Sequence, residues 1–274
     1  MKTAYYQLLA LDLDGTLVGA DLLISPRVKT ALAEAMRRGV RVTLATGRML
    51  GVAVSFSRQL NITTPLICYQ GALIQTAEAN KPLFRQAVPL PLAREVVEFA
   101  RRVNLPVGAQ IDNSFYVERL RPADTAYIPS VPMEIQFLKV VDLMADLPGD
   151  PLKLVIFSDP DTIAYWLPRM VEEFTGRLNV MRSHPLLLEA THPNVSKGRA
   201  LAWLAAYLGI PRERVMAIGD NDNDADMVAW AGWGVAMGNA TPAVKAAADF
   251  VAPPLEEDGA AVAIEHFVLG REES

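Results

Sequence analysis

Short apolar runs alternate with longer amphipathic segments over the first seventy residues of the chain. Three of the apolar runs predict buried strands, at residues 7–13, 40–45 and 65–69. Between the first two, Ser25 and Pro26 are typical of a helix start and Gly39 of a helix end, and residues 49–60 predict a second helix. Alternating strands and helices predict an α/β fold with a parallel sheet.

The last third of the chain repeats this pattern, and the middle does not. The repeated helices and strands are predicted at 196–208, 214–218, 224–231, 234–237, 241–247, 249–251 and 258–269. The middle carries paired strand-like runs and helical stretches instead, at 92–103, 107–111, 115–118, 152–157 and 162–174. Prolines flank it on both sides. We therefore predict a Rossmann-like core built from 1–87 and 187–274, with an inserted α+β domain at 88–186.

Composition and charge narrow the class of protein. Of the 274 residues, 51% are hydrophobic and 21% charged, which is typical of a folded chain. A formal net charge of -5 without any basic run argues against a nucleic-acid partner or an anionic membrane surface. No apolar stretch approaches the roughly 18 residues of a spanning helix, and Asp12 interrupts the N-terminal run before a secretion signal could form. With one cysteine, Cys68, we expect a cytoplasmic protein without an intrachain disulfide.

Four polar segments follow predicted strands or open predicted helices, where open α/β sheets bind ligands. The first contains Asp12 and Asp14 at a strand end, a pattern that suits a nucleophile with a general acid–base, or metal ligands. An Asp-Gly turn that uses both carboxylates as caps is the alternative. The second is residues 46–48, where the Thr46 hydroxyl and a backbone amide could hold a phosphate oxygen, or Thr46 could be a helix N-cap.

The third and fourth segments lie in the last third of the chain. Lys197 falls in the first turn of a predicted helix, where a cation opposes the helix dipole unless an anion lies beside it. A solvated surface lysine is the alternative. Residues 219–224 crowd Asp220, Asp222 and Asp224 after a strand, which is repulsive unless a cation is bound, and oxygen ligands suit Mg²⁺. An acidic helix start is the alternative there.

Together the four segments resemble the haloacid dehalogenase superfamily of phosphatases, in its Cof-like branch (subfamily IIB). Residues 12–16, 46–48, 197–198 and 219–224 are similar to the four motifs in order, and 236–240 also match this branch. Two segments depart from the pattern. Gln70 precedes Gly71 where the branch carries asparagine, and residues 191–194 are less apolar than usual. These departures concern substrate contacts.

The resemblance implies a Mg²⁺-dependent phosphomonoester hydrolase that forms an aspartyl-phosphate. Asp12 is then the nucleophile, Asp14 the general acid and base, and Thr46 and Lys197 hold the transferring phosphoryl group. The implied substrate-binding residues are Gly47, Arg48, Gly71 and Asn223, and the implied Mg²⁺ ligands are Asp12, Asp14, Asp220, Asn223 and Asp224. The implied substrate is a small phosphorylated metabolite, either a sugar phosphate or a phosphorylated cofactor. We expect a monomer or a weak homodimer.

The spacing of the motifs locates the inserted domain. Asp14 and Thr46 are 32 positions apart, which leaves room for one helix and one strand, whereas Thr46 and Lys197 are 151 positions apart. Within the resemblance, this late insertion implies an α+β cap of the C2 type and argues against β-phosphoglucomutase-like members. Phosphomannomutase-like phosphoryl transfer to a sugar, and a non-catalytic Mg²⁺- and phosphate-binding regulatory module, are the two alternative functions.

Overall fold

The structure is a computed structural model that describes residues 5–118 and 138–271. The N-terminal elements are β1 (Leu8–Leu11), α1 (Pro26–Arg37), β2 (Arg41–Leu44), α2 (Leu50–Leu60), β3 (Leu66–Cys68) and β4 (Leu73–Gln75). The middle elements are β5 (Phe84–Arg85), α3 (Leu90–Arg102), β6 (Val107–Ile111), β7 (Ser114–Val117), β8 (Leu138–Val140), β9 (Lys153–Phe157), α4 (Pro160–Glu173), β10 (Asn179–His184) and β11 (Leu187–Thr191). The C-terminal elements are α5 (Lys197–Tyr207), β12 (Val215–Gly219), α6 (Ala225–Trp230), β13 (Trp233–Ala236), α7 (Pro242–Ala247), β14 (Phe250–Val251) and α8 (Gly259–Ala263).

These elements belong to two compact units. The first unit comprises the described residues up to Gly47, the segment Ala53–Leu83 and the described residues from Ser196 onward. The second comprises Arg48–Val52 and the described part of Phe84–Val195. None of the described helices combines the length and the apolar character that a membrane crossing requires.

A parallel five-stranded sheet organises the first unit. Its strand order is β14-β13-β12-β1-β2, and every neighbouring pair is parallel. All four side chains of the central strand β1 are buried, which accounts for the continuous apolar run in its sequence. Because β1 and β12 are parallel neighbours, the residues that follow them lie at the same edge of the sheet. The α/β prediction with a parallel sheet is confirmed.

The helix start predicted from Ser25 and Pro26 is confirmed at α1. Ser25 is its N-cap, and the Ser25 side chain accepts a hydrogen bond from the Val28 N–H at 3.1 Å. Pro26 occupies the first helical position, where its missing N–H costs nothing. The last predicted helix, 258–269, is shorter than expected, because α8 ends at Ala263 and a π-helical turn follows at Ile264–Val268.

The second unit is α+β, with a largely antiparallel six-stranded sheet. Its strand order is β10-β11-β9-β6-β7-β8, and only the pair β7 and β8 is parallel among these strands. Alternate side chains of β6 and β9 join α3 and α4 in one apolar core, whose members include Val107, Ala109, Leu154 and Ile156. The other sheet face of these strands therefore carries the remaining side chains, including Gln110 and Lys153.

The strands β10 and β11 were absent from the sequence prediction. They form an antiparallel hairpin, so residue 187, the predicted restart of the core, falls inside the sheet of the second unit. Most side chains of β10 are only partly buried, and such an edge strand lacks a clear apolar pattern. The proline that suggested a hinge, Pro185, lies in the hairpin turn instead. The domain boundaries stay a prediction, and residues 119–137 of the predicted insertion lie outside the described residues.

A buried ion pair joins two neighbouring strands, β9 and β11, of the second unit's sheet. The Lys153 Nζ donates to Glu189 Oε1 at 2.7 Å, and both side chains are almost fully buried. Two charges taken out of water contribute little net stability as a pair, but either one left alone is costly. Removing one charge of the pair therefore tests whether the other is buried as the structure shows.

We predict that Glu189→Gln lowers the free energy of unfolding by about 3–5 kcal/mol, because the buried Lys153 ammonium loses its counter-charge. The matched control is Glu95→Gln, which breaks the exposed pair between Arg177 and Glu95 and should cost about 1 kcal/mol or less. Urea and thermal unfolding of both variants measure the difference. Similar losses in the two variants would contradict the buried character of the first pair.

Candidate active site

Two acidic segments of the first unit meet at the carboxyl edge of its parallel sheet. Asp12 directly follows β1, and its backbone N–H donates to the carbonyl of Ile218 in β12 at 3.1 Å. Asp220 directly follows β12. The strand pairing thus brings together two segments that are about two hundred residues apart, and only 4% of Asp12 is exposed.

Lys197 links these segments through two short hydrogen bonds. It is the first residue of α5, whose N-cap Ser196 accepts from the Arg199 N–H at 3.2 Å. The Lys197 Nζ donates to Asp12 Oδ1 and to Asp224 Oδ1, each at 2.6 Å, and only 1% of the residue is exposed. The surface-lysine alternative therefore does not hold. Burial lowers the pKa of Lys197, but the two carboxylates outweigh it, and the net pKa is raised.

Asp224 is fully buried and has hydrogen-bond partners at both carboxylate oxygens. Its Oδ1 accepts from Lys197, and its Oδ2 accepts from the backbone N–H groups of Asp220 and Asn221, each at 3.1 Å. A Cβ at Gly219 would stand 2.5 Å from the Asp224 Cβ, so this close packing requires glycine. The Asp224 side chain therefore shapes the loop after β12 and orients Lys197.

Asp220 lies against the turn that follows β1. The Thr16 Oγ1 donates to Asp220 Oδ1 at 3.0 Å. Gly15 has φ +84°, and a Cβ there would stand 2.2 Å from Asp220 Oδ2. Glycine is thus required for both the left-handed backbone and the close approach of the carboxylate. Burial, followed by the Asp224 carboxylate, raises the pKa of Asp220 to about 7.

Three clustered carboxylates, two of them buried and that of Asp220 partly buried, suit a divalent cation. One oxygen from each of Asp12, Asp220 and Asp224 lies within 4.8 Å of the others, and Lys197 supplies one positive charge against three negative ones. Burial, and then Asp224, raise the pKa of Asp12 well above its usual range, while Lys197 acts in the opposite direction. Hard carboxylate oxygens in such a cluster fit Mg²⁺.

The loop after β12, which carries Asp220 and Asp224, also contains a buried amide oxygen. The Asn223 Oδ1 is buried and has no hydrogen-bond partner among the described residues, although the Asn223 Nδ2 donates to Gln70 Oε1 at 2.8 Å. A buried acceptor of this kind is costly unless something binds to it. Asn223 Oδ1 is therefore a further candidate oxygen ligand on the loop that carries Asp220 and Asp224.

The other predicted site residues differ in their burial and in the contacts that they make. Thr46 is fully buried, and its carbonyl accepts from the Gln70 N–H at 3.1 Å. Gly47 packs against the Gln70 side chain, and Gly71, with φ +100°, packs against the Ser196 carbonyl, where a Cβ would stand at 2.4 Å. Asp14 is exposed. Arg48 belongs to the second compact unit, so the structure does not group it with these residues.

The contacts of four supporting residues were not predicted from the sequence. Thr16 and Gln70 contact the acidic segments as described, Asn239 Nδ2 donates to the Gly15 carbonyl at 2.9 Å, and Asp226 Oδ2 accepts from the Gly198 N–H at 3.1 Å. The segment 236–240 and the change at Gln70 were both visible in the sequence. Neither signal specifies a contact partner, because each partner lies far away along the chain.

Comparison with known proteins places the chain in a family. The profile of the haloacid dehalogenase-like hydrolases matches residues 9–264. The 5-amino-6-(5-phospho-D-ribitylamino)uracil phosphatase YitU of Bacillus subtilis is 30% identical over 267 residues, with 95% of this chain and 97% of that protein covered. Phosphatase YwpJ of the same bacterium is 29% identical over 288 residues, with 96% and 100% covered.

A solved structure supports the same assignment. The crystal structure of a haloacid dehalogenase-like hydrolase from Bacteroides thetaiotaomicron has a TM-score of 0.82 and 31% sequence identity, with 95% of this chain and 99% of that chain covered. The family profile and this similarity extend over both compact units. The chain is therefore an enzyme that belongs to the haloacid dehalogenase-like hydrolase family.

Proposed function

We propose that this enzyme is a Mg²⁺-dependent phosphatase that hydrolyses small phosphorylated metabolites through an aspartyl-phosphate on Asp12. The observation that carries the proposal is the buried Asp12 carboxylate at the end of β1, held at 2.6 Å by the Lys197 ammonium. Membership of the hydrolase family and the phosphatase activity named for two relatives support it.

Asp12 acts as the nucleophile. Its carboxylate oxygen attacks the phosphorus, the bond between phosphorus and the ester oxygen breaks, and Asp14 gives a proton to the leaving oxygen. Water then attacks the phosphorus of the aspartyl-phosphate, Asp14 accepts the proton, and inorganic phosphate leaves as the bond to Asp12 breaks. The exposure of Asp14 suits a group that exchanges protons with water, whereas the burial of Asp12 suits a fixed nucleophile.

Lys197 and Thr46 hold the phosphoryl group. The raised pKa of Lys197 keeps its ammonium charged, and hydrogen bonds to Asp12 and Asp224 fix its position. A unit positive charge 4 Å from a phosphoryl oxygen is worth about 4 kcal/mol at an effective dielectric constant near 20. Because the ammonium is already oriented in the folded protein, it does not have to reorganise during the reaction.

Asp12, Asp220, the Asn223 Oδ1 and the backbone carbonyl of Asp14 would hold Mg²⁺. When bound, the ion would offset the repulsion between the carboxylates and the phosphate. Asp224 has partners at both oxygens, which supports an indirect contribution through water and through the position of Lys197.

The substrate is proposed only as a class. The name of YitU describes a phosphorylated ribityl compound, so sugar phosphates and phosphorylated cofactors are the first compounds to test. Gly47 packs against the Gln70 side chain and Gly71 against the Ser196 carbonyl, so both glycines support the close packing of the loops beside Thr46. The substrate contacts of Arg48 and of Asn223 stay predictions. A phosphate-release screen against a panel of phosphorylated metabolites tests this proposal.

The same assay separates the alternative functions. With water as the sole acceptor, a hydrolase releases inorganic phosphate in many turnovers. A phosphomannomutase-like transferase would need a sugar acceptor, and a regulatory module would stop after one phosphorylation of Asp12.

We predict that Asp12→Asn abolishes phosphate release and preserves the fold, because the amide has a similar shape but is not a nucleophile. The control is Asp222→Asn, since Asp222 is exposed and its Oδ1 accepts from Thr241 Oγ1 at 2.7 Å. Phosphate release is compared for parent and variants, with circular dichroism to check folding. Turnover of Asp12→Asn within about tenfold of the parent would exclude Asp12 as the nucleophile.

We predict that Asp220→Ala raises the Mg²⁺ concentration for half-maximal activity and lowers turnover by about 10²–10³-fold. The reason is the loss of a cation ligand worth about 3–4 kcal/mol, at 1.36 kcal/mol per tenfold change in rate. Asp222→Ala removes an exposed carboxylate from the same loop and should change both values little. Activity titrated against Mg²⁺ gives the comparison. Equal effects of the two substitutions, or full activity in excess chelator, would contradict the metal role.

A further inference from the structure

The backbone at Tyr69 and Gln70 is held in an uncommon conformation. Tyr69 has φ +52° and Gln70 has φ +61°, so two consecutive residues with side chains occupy the left-handed region that favours glycine. Both residues are buried. Such a conformation costs free energy and persists where surrounding contacts fix it.

The Gln70 side chain connects two loops of the first unit. Its Oε1 accepts from the Asn223 Nδ2 at 2.8 Å, in the loop after β12. On the other side it covers Gly47, where a Cβ would stand 2.3 Å from the Gln70 Nε2. The Gln70 N–H also donates to the Thr46 carbonyl at 3.1 Å. Gln70 therefore transmits the position of the segment around Thr46 to Asn223.

The hydrogen bond to Gln70 engages one end of the Asn223 amide, the Nδ2 group, and leaves the other end free of that contact. The donor end, Nδ2, faces Gln70, so the acceptor end, Oδ1, is kept away from it. The Oδ1 is buried without a hydrogen-bond partner among the described residues. An amide rotated by half a turn would place a donor at that position, and an N–H group cannot bind a cation.

We propose that Gln70 is a positioning residue that orients the Asn223 amide, so that its Oδ1 remains available as an oxygen ligand for a cation. This inference rests on the proposed Mg²⁺ site. Residues that orient metal ligands in this way typically change metal affinity by 10–100-fold when they are replaced. Gln70 needs no contact with the substrate or the ion to have this effect.

Mg²⁺ binding to the full chain without substrate, measured by isothermal titration calorimetry, tests the proposal. Gln70→Met has a similar length but replaces the amide oxygen by a thioether sulfur, which is a much weaker acceptor, and we expect it to bind Mg²⁺ about 10–100-fold more weakly. Gln70→Glu keeps an oxygen that can accept from the Asn223 Nδ2 and cannot donate, so its affinity should equal or exceed the parental value. Parental affinity in Gln70→Met, or an equal loss in both variants, would overturn the proposal.

A variant that tolerates the positive φ at position 70 serves as the control for a folding defect. Gln70→Gly adopts a positive φ without cost and removes the acceptor. We expect it to lose Mg²⁺ affinity as Gln70→Met does, while thermal melts show a folded protein. If Gln70 only maintained the loop, Gln70→Gly would bind Mg²⁺ with the parental affinity.

A double-mutant cycle tests whether Gln70 acts through Asn223. We expect Asn223→Ala combined with Gln70→Met to bind Mg²⁺ no more weakly than Asn223→Ala alone. Additive losses would overturn the positioning role.

The binding measurement also distinguishes this inference from the proposed function. If the parent protein fails to bind Mg²⁺ at millimolar concentration, the proposed metal site is wrong and the positioning role falls with it. If the parent binds and the Gln70 variants match it, only the positioning role is wrong. Because no turnover is needed, the nucleophile assignment is tested separately by Asp12→Asn.

Discussion

The pair of hydrogen bonds from the buried Lys197 ammonium is the interaction on which the rest of the site depends. Lys197 opens α5, Asp12 follows β1 and Asp224 lies in the loop after β12, so one side chain joins three segments of the first unit. A cation at a helix start opposes the helix dipole, and its burial adds a desolvation cost. Two carboxylates at 2.6 Å offset both costs, and in return the ammonium holds them in place.

Close backbone packing makes this arrangement possible. Gly15 lets the turn after β1 approach Asp220, and Gly219 lets the Asp224 side chain fold back onto its own loop. Any side chain at either glycine would occupy space already filled by a carboxylate or its Cβ. The glycines of the two acidic segments therefore belong to the site as much as the charged residues do, and their contribution is steric.

The charge of the site is balanced only in part by the protein. Three carboxylates face one ammonium, and burial, followed by the charge of Asp224, raises the pKa values of Asp12 and Asp220. A folded protein tolerates such an excess where a cation or a proton completes the balance. This incomplete balance and the buried Asn223 oxygen are the two observations that support the proposed metal site.

The sequence by itself determined the alternation of strands and helices and the position of the polar segments after β1 and β12. Both follow from local patterns, since apolar runs and capping residues act over a few positions. It did not determine the hairpin of β10 and β11, because a partly exposed edge strand has a weak pattern and a proline suits either a hinge or a turn.

The tertiary structure decided which polar residues meet. Lys197 and Asp12 are 185 positions apart, and Asn223 and Gln70 are 153 positions apart, so no local pattern could have paired them. The sequence left open whether Lys197 faces solvent, which oxygens of Asp224 are occupied and what Gln70 contacts. These features depend on long-range strand pairing and on close packing between loops, and both arise only when the whole sheet has formed.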